Sequence, residues 1–272
     1  MTVLLLILIP AALFLIYLWL IHPGPVRGMD HFTGRAYAHR GLWDDRLPEN
    51  SLPAVRRAAA LGFGIETDVH LTADDQLVIF HDSDLSRMCG VSRPIEACTL
   101  EELRQYRLLG TKETIPTLRE LLDAVGGRVP LIVEIKPARR VKRLCERLDE
   151  ALRDYRGPYV IESFDPRAVH WYRRHRPDVI RGQLTFGLNG RGVVKKNALT
   201  RLLATQALNV LGRPDFIAAE AASDGGLALR LLRLFPTHFA AWTVRSPEQM
   251  EALRDRYEIQ IFEHFIPGEV SQ

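Results

Sequence analysis

Short apolar segments alternate with amphipathic ones from residue 35 to residue 267, and this alternation restricts the fold more than any other feature of the chain. The apolar segments have the length of strands, and they are Tyr37–His39, Gly64–Val69, Leu77–Phe80, Leu131–Ile135, Tyr159–Glu162, Val179–Gln183, Phe216–Ala219, Phe239–Val244 and Ile259–Phe262. The clearest amphipathic segment begins near Arg139, where apolar residues recur at helical spacing. Strands alternating with helices over about 230 residues favour a parallel sheet closed into a (β/α)8 barrel. We therefore predict an α/β fold of the TIM-barrel type.

Nine predicted strands are one more than this barrel needs. The connection from Val69 to Leu77 is too short for a parallel crossover, which takes a dozen or more residues. We therefore interpret residues 72–76 as a hairpin turn and Leu77–Phe80 as a strand antiparallel to the one before it. The alternation then fails from about residue 82 to 116, where Thr99 and Glu102 form a capping-box pattern for one short helix. This stretch is predicted to be a small insertion over one end of the barrel.

The N-terminus carries no charged residue from Thr2 to Ile21. As a helix, 20 residues would extend for roughly 30 Å, the thickness of a bilayer's hydrocarbon core. Tyr17 and Trp19 lie near one end, where amphipathic rings prefer the headgroup level. We predict a transmembrane anchor over residues 1–22, a linker over 23–34 and the barrel domain over 35–267. The alternative is a cleaved signal peptide, against which the absence of an N-terminal basic residue and of an A-x-A-like site both argue.

Charge and cysteine usage give a weaker prediction of location. Arg27, Arg35 and Arg40 follow the apolar segment and no basic residue precedes it, so the positive-inside rule favours a single-pass membrane protein with a cytoplasmic catalytic domain. Three widely spaced cysteines do not form a disulfide framework or a zinc motif, which agrees with a reducing compartment. A net charge of +3 is too close to balance to indicate a nucleic-acid partner, and none is predicted.

Two predicted strands carry charged residues at alternate positions. Glu66 and Asp68 share one face of the second strand, and Glu134 and Lys136 share one face of another buried strand. Carboxylates that face a barrel interior repel one another and are costly to desolvate unless a cation joins them. Three carboxylates form an all-oxygen cluster that suits Mg²⁺ or Ca²⁺ better than zinc. The alternative is a structural salt-bridge network with the lysine.

Two histidines stand at the C-terminal ends of predicted strands, where barrel enzymes hold their sites. His39 ends the first strand and His81 ends the hairpin arm. Each could be a metal ligand or a core residue, but a pair of imidazoles best fits an acid and a base near neutral pH. Arg40 beside His39 offers a bidentate contact to a phosphate oxygen.

The ordered set of motifs resembles the glycerophosphodiester phosphodiesterase family over residues 35–267. These motifs are His39-Arg40-Gly41, Pro48–Ser51, Glu66-x-Asp68, Phe80–Asp82, Glu134-x-Lys136, Ser163–Asp165 and Trp242–Val244. The resemblance implies a TIM barrel that cleaves glycerophosphodiesters to glycerol 3-phosphate and an alcohol with one divalent cation.

The resemblance also implies a role for each site residue. By the match the metal ligands are Glu66, Asp68 and Glu134, the acid/base pair is His39 and His81, and the phosphate contacts are Arg40 and Lys136. Possible pocket or supporting residues are Glu49, Asn50, Ser163, Phe164 and Trp242. The chain departs from the family at Tyr257–Pro267, which lacks the usual Thr-Asp element. This departure alters the wall of the site near the last strand and leaves the preferred alcohol open.

Three functions therefore compete. The substrate could be a soluble diester such as glycerophosphocholine, or a lysophospholipid cleaved in a lysophospholipase D reaction beside the membrane. A function of another class is a catalytically silent, membrane-tethered barrel that only binds. The intact set of histidines, carboxylates and lysine argues against the third. The nucleophile, water or the glycerol 2-hydroxyl, also stays open, as does the choice of base between the two histidines.

Overall fold

A computed structural model describes residues 2–25, 28–185, 198–222 and 226–268. Its strands are β1 Arg35–His39, β2 Gly64–Leu71, β3 Leu77–Ile79, β4 Leu131–Ile135, β5 Tyr159–Ser163, β6 Arg181–Thr185, β7 Phe216–Glu220, β8 His238–Val244 and β9 Ile259–Phe262. The order β1-β9-β8-β7-β6-β5-β4-β2 is closed by a pairing between β1 and β2, and these eight strands are parallel. β3 pairs antiparallel with β2. The predicted TIM barrel is confirmed, as is the hairpin that accounts for the ninth strand.

Helices surround the barrel and fill most connections between its strands. They are α1 Thr2–Ile21, α2 Leu52–Ala60, α3 Ser86–Cys89, α4 Leu100–Leu103, α5 Leu118–Val125, α6 Val141–Leu152, α7 Pro166–His175, α8 Ala198–Ala204, α9 Asn209–Gly212, α10 Gly226–Leu232 and α11 Pro247–Leu253. The predicted capping box of Thr99 and Glu102 begins α4. α3 and α4 lie in the insertion, which packs its own apolar cluster around Phe80, Leu85 and Leu103.

The sixth strand begins two residues later than predicted. Val179 is apolar and buried, but it lies in a turn, where its N–H donates to the carbonyl of Arg176. The strand instead begins at Arg181, whose buried guanidinium donates to the carbonyl of Gly212. A charged residue at a strand start thus concealed the true boundary.

The barrel interior towards the N-terminal ends of the strands is apolar and closely packed. Tyr37 and Phe216 point inward, and each lies against a glycine on a neighbouring strand. A Cβ on Gly64 would lie 2.5 Å from the Tyr37 ring, and one on Gly182 would lie 2.3 Å from the Phe216 ring. These glycines make room for the large rings, so the interior at this level is filled with side chains.

The segment before β1 closes the N-terminal end of the barrel. Met29 and Phe32 are buried in the same cluster as Tyr37, and the Tyr37 hydroxyl donates to the carbonyl of Phe32. The N–H of Gly34 donates to the carbonyl of Glu258 just before β9. The stretch predicted as a linker therefore contributes packed side chains to the barrel's core.

Helix α1 stands out from the barrel and contacts it only near its C-terminal end. Its large apolar side chains from Leu4 to Ile16 are between 48% and 68% exposed, whereas Ile21 is fully buried. The helix is long and apolar enough to cross a membrane. A signal sequence near an N-terminus has the same properties, so the anchor stays a prediction.

Candidate active site

Three carboxylates converge at the C-terminal ends of β2 and β4. Glu66 and Asp68 point inward from β2, and Glu134 points inward from β4, where it pairs in register with Asp68. All three are buried, and one oxygen from each lies within 4.8 Å of the others. The period of two along adjacent parallel strands thus produces one cluster, because both strands are in register at the same level of the barrel.

Lys136 partly balances this cluster. Its Nζ lies 2.8 Å from Oε1 of Glu134 and 3.1 Å from Oδ1 of Asp68. Burial raises the pKa of Asp68, but the charges of Lys136, His81 and Arg40 together outweigh burial and hold that pKa well below its usual range. Burial and the charges of Asp68 and Glu134 instead raise the pKa of Glu66 well above its usual range.

The donor set fits a divalent cation. Burial also raises the pKa of Glu134, even beside Lys136. When all three carboxylates are ionised, their negative charge exceeds what Lys136 and the neighbouring Arg40 offset, and this repulsion is what a bound cation would relieve. The cluster offers only oxygen atoms. A hard cation such as Mg²⁺ or Ca²⁺ takes such ligands.

Arg40 and Gly41 form a tight turn after β1. Both have left-handed backbones, with φ of 60° and 81°. A Cβ on Gly41 would lie 2.9 Å from the backbone of Ala54, so only glycine fits there. The turn directs the N–H of Arg40 to Oε2 of Glu66 at 3.1 Å. Nη1 of Arg40 donates to Glu49 at 2.8 Å, and this bond holds the guanidinium at the rim of the carboxylate cluster.

Glu49 and Asn50 support this arrangement from the loop before α2. The Asn50 amide donates to Oδ2 of Asp68 at 2.8 Å and accepts from the hydroxyl of Thr67 at 3.0 Å. Glu49 also accepts two hydrogen bonds from Arg87 in the insertion. The two residues therefore fix Asp68 and Arg40 in place.

His39 is held by a carboxylate from the opposite end of the chain. Its Nδ1 lies 2.6 Å from Oε2 of Glu263, and its Nε2 points to the cluster, 3.9 Å from Oε2 of Glu66. Burial and Arg40 lower the pKa of His39 despite the bond to Glu263. A neutral ring that donates from Nδ1 to Glu263 leaves an unprotonated Nε2 facing the carboxylates.

Glu263 follows β9 directly and was missed in the sequence. Burial raises its pKa, but the hydrogen bond and charge of His39, with Arg245, lower the pKa to about 2. Arg245 Nε donates to its other oxygen at 2.8 Å. The signal was present: Ile259, Ile261 and Glu263 alternate along one face, in the same segment where the family's Thr-Asp element is absent.

His81 has a carboxylate partner of its own. Its Nδ1 lies 2.7 Å from Oδ1 of Asp82, and Asp82 also accepts from Nε of Arg87 at 2.7 Å. Burial raises the pKa of Asp82, but the hydrogen bonds from His81 and Arg87 bring it far below its usual range. The side chain of His81 is 33% exposed, against 13% for His39. The second histidine thus stands on the solvent side of the site.

The remaining predicted residues divide into a rim pair and a supporting residue. Phe164 and Trp242 meet edge to face, with ring centroids 5.5 Å apart, and the Trp242 indole donates to the carbonyl of Ala218. Ser163 is fully buried, and its hydroxyl donates to the carbonyl of Ile135 at 2.6 Å. Ser163 therefore supports the end of β5 and does not line the pocket.

Glu162 is a fourth inward carboxylate that the sequence analysis did not single out. It pairs in register with Glu134 and is 1% exposed. Burial and the charges of Glu134 and Asp68 raise its pKa well above the usual range. Its position alternates with Phe164, and this period of two could have revealed it.

Comparison with known sequences identifies relatives along most of the chain. The sequence model of the glycerophosphoryl diester phosphodiesterase family matches residues 39–265. A probable glycerophosphodiester phosphodiesterase 2 of Mycobacterium tuberculosis is 30% identical over 228 residues, which cover 81% of this chain and 83% of the relative. A glycerophosphodiester phosphodiesterase of Caldanaerobacter subterraneus is 33% identical over 228 residues, covering 79% and 88% of the two chains. A lysophospholipase D of Rattus norvegicus is 30% identical over 166 residues, only 51% of its own length.

Solved structures share the fold. A phosphodiesterase of Oleispira antarctica, solved with its product sn-glycerol-3-phosphate, superposes with a TM-score of 0.70 at 23% identity and covers 85% of this chain and 93% of its own. A glycerophosphodiester phosphodiesterase of Parabacteroides distasonis gives a TM-score of 0.68 at 24% identity, with coverage of 85% and 93%.

Proposed function

Because the chain belongs to the glycerophosphoryl diester phosphodiesterase family and is an enzyme of that class, we propose that it hydrolyses glycerophosphodiesters to glycerol 3-phosphate and an alcohol at the site around Glu66. One observation carries the proposal. Two histidines, each with Nδ1 on a carboxylate, stand beside a buried cluster of three further carboxylates.

The phosphate is bound by cationic groups at the rim and floor of the site. Glu66, Asp68 and Glu134 would hold one Mg²⁺ or Ca²⁺, and the bound cation would offset negative charge on a phosphoryl oxygen. Arg40 offers a planar fork to a phosphate oxygen, and Lys136 offers a point charge from below. The Arg40 and Lys136 side chains are already held by Glu49 and Glu134, so they lose little conformational freedom when the substrate binds.

The histidines move the protons. Nε2 of His39 takes a proton from the nucleophile, because in the neutral tautomer whose Nδ1–H donates to Glu263 the free lone pair is on Nε2. The nucleophile's oxygen forms a bond to phosphorus while the bond from phosphorus to the alcohol oxygen breaks. His81, on the solvent side, gives a proton to the leaving alkoxide, and Asp82 stabilises the ring that carries it. Water or the glycerol 2-hydroxyl can be the nucleophile, and a cyclic phosphate product would identify the second.

The test is release of glycerol 3-phosphate from glycerophosphocholine by the purified full chain in detergent, with Mg²⁺ or Ca²⁺ added. His39→Ala and His81→Ala are each expected to lower kcat by about 10²–10⁴-fold, the range for general acid–base groups. His31→Ala, an exposed histidine near the other end of the barrel, is the matched control and should keep wild-type turnover. Full turnover in either site variant would contradict the mechanism, and no product from a panel of diesters would favour a silent barrel.

A lysophospholipase D activity is the second candidate. It is favoured by the similarity to the rat lysophospholipase D. We also propose that helix α1 is an uncleaved anchor with the barrel on the cytoplasmic side. The full burial of Ile21 against the barrel domain supports retention of the helix. Intact mass of the membrane-bound chain tests cleavage, and protease protection in sealed vesicles tests the side.

A further inference from the structure

We propose that helix α1 holds the barrel with its N-terminal end against the bilayer, so that the active site opens away from the lipid and accepts water-soluble glycerophosphodiesters in preference to lysolipids embedded in the membrane. The inference rests on the proposed function and on the proposed anchor. It starts from the junction between the helix and the barrel.

The junction is rigid. Nη1 of Arg213 donates to the carbonyls of Trp19 and His22 at 2.8 and 2.7 Å, and its guanidinium lies over the Trp19 ring. The Asn209 amide donates to the carbonyl of Ile21 at 3.2 Å. A Cβ on Gly24 would lie 2.6 Å from the carbonyl oxygen of Arg213, so the two backbones touch. Helix and barrel therefore share one orientation.

The junction lies at the opposite end of the barrel from the catalytic groups. Asn209 and Arg213 stand directly before β7, which begins at Phe216, and so mark the N-terminal ends of the strands. His39 and Glu134 stand at the C-terminal ends. Strands of five residues separate these two levels by about 16 Å, at about 3.3 Å per residue. Because Leu4–Ile16 is exposed on all sides, the helix leaves the barrel at this end and does not run back along its wall towards the site.

Apolar side chains on the barrel surround the base of the helix. Leu211 on α9 is 41% exposed, and Leu202 on α8 is 45% exposed. Leu234 is 73% exposed and precedes Phe235, whose ring contacts His22. These leucines lie on or next to elements that contact the C-terminal end of the helix, so the bilayer that would hold the helix would also cover this leucine surface. Arg173, exposed on α7 beside Leu211, adds positive charge suited to anionic headgroups.

The position of the site at the end of the barrel away from the bilayer affects which substrates can reach it. The phosphodiester of a lysolipid lies at the headgroup level, next to the leucine surface, while the carboxylate cluster opens at the far end of the barrel. An embedded lysolipid would have to leave the bilayer to reach it. A water-soluble diester reaches the opening directly.

The orientation is tested with the full chain in nanodiscs of phosphatidylcholine and phosphatidylglycerol. A fluorophore is attached at Leu234→Cys or at Leu109→Cys, in a background with Cys89→Ser because Cys98 and Cys145 are buried. Leu109 is the matched control, since it is 59% exposed and lies in the insertion near the site. Spin-labelled lipids are expected to quench the fluorophore at position 234 and not at 109. Equal quenching, or stronger quenching at 109, would overturn the proposal.

Turnover in the same nanodiscs tests the consequence. Glycerophosphocholine is expected to be hydrolysed at least tenfold faster than embedded lysophosphatidylcholine. A flexible Gly/Ser segment inserted between Ile21 and His22, in a chain that also carries Asn209→Ala and Arg213→Ala to remove the hydrogen bonds to Ile21 and Trp19, frees the barrel. This variant should raise the rate on the lysolipid relative to glycerophosphocholine severalfold. An unchanged ratio would refute docking as its cause. Loss of turnover on both substrates would instead contradict the proposed function, while the quenching measurement would still report the orientation.

Discussion

Replacing Glu263 by glutamine tests the most specific feature of the site. The substitution keeps the shape and an acceptor oxygen for Nδ1 of His39, but it removes the negative charge 2.6 Å from the ring. In the proposed mechanism His39 takes a proton in the transition state, so the ring becomes positive and the carboxylate stabilises that charge. The neutral glutamine cannot stabilise that charge. Its amide N–H can also donate to Nδ1, which would favour the tautomer with the hydrogen on Nε2.

The magnitude follows from the burial of the pair. The side chains of His39 and Glu263 are only 13% and 7% exposed, so solvent screens their interaction little. Two unit charges about 4 Å apart interact by about 4 kcal/mol at an effective dielectric constant of 20. A loss of about 2–4 kcal/mol from the transition state corresponds to a fall in kcat of roughly 30- to 1000-fold.

The assay compares kcat and KM for glycerophosphocholine at saturating cation, with circular dichroism to verify the fold. We expect kcat to fall and KM to change little, because both oxygens of Glu263 already bond to His39 and Arg245. Arg245→Gln is the control: this arginine bonds to the same carboxylate, but its side chain is 60% exposed, so its removal should change kcat by less than about threefold. The reasoning fails if Glu263→Gln keeps more than a third of wild-type kcat, or if Arg245→Gln loses as much.

Four further outcomes are expected. Chelation should abolish glycerol 3-phosphate release, and either Mg²⁺ or Ca²⁺ should restore it; full activity in excess chelator would contradict a metal-dependent site. Lys136→Met should lower kcat/KM by about 10²-fold or more, because a charged contact in a buried site is lost. Wild-type kinetics in this variant would exclude a contact between Lys136 and the phosphate. Gly182→Ala places a Cβ 2.3 Å from the Phe216 ring and should lower the free energy of unfolding by about 1–3 kcal/mol in urea titrations. Folding lowers the pKa of Glu263 from 4.5 to about 2, so its ionised form contributes at most about 3 kcal/mol to stability. This contribution is complete above pH 4.5 and is lost as the pH falls towards 2. The free energies of unfolding of wild type and Glu263→Gln should therefore converge between pH 4.5 and 2, and a constant difference would contradict the assignment.

The barrel could be predicted because its signals are local and periodic. Buried parallel strands leave continuous apolar runs, and Glu66 with Asp68 interrupts one run at a spacing of two, which placed both on the inward face. A hairpin was predictable from the length of one connection alone. These features need no knowledge of what lies opposite each strand.

Contacts between distant parts of the chain could not be predicted in this way. Glu263 became a partner of His39 only through barrel closure, and the sequence showed it merely as a departure from the family pattern. Ser163 stands in a family motif, yet it points out of the barrel, because Glu162 and Phe164 occupy the inward positions. The docking of α1 on Asn209 joins residues 188 positions apart and has no periodic signal.

The bond between His39 and Glu263 crosses the seam where the barrel closes, since β1 pairs with β9 and the two residues are 224 positions apart. During synthesis the carboxylate cluster and His81 therefore emerge long before His39 acquires its partner. Closure of the barrel and the bond that holds His39 form together, once β9 has been made. We expect chains that terminate before β9 to carry almost every proposed catalytic group and to hydrolyse little.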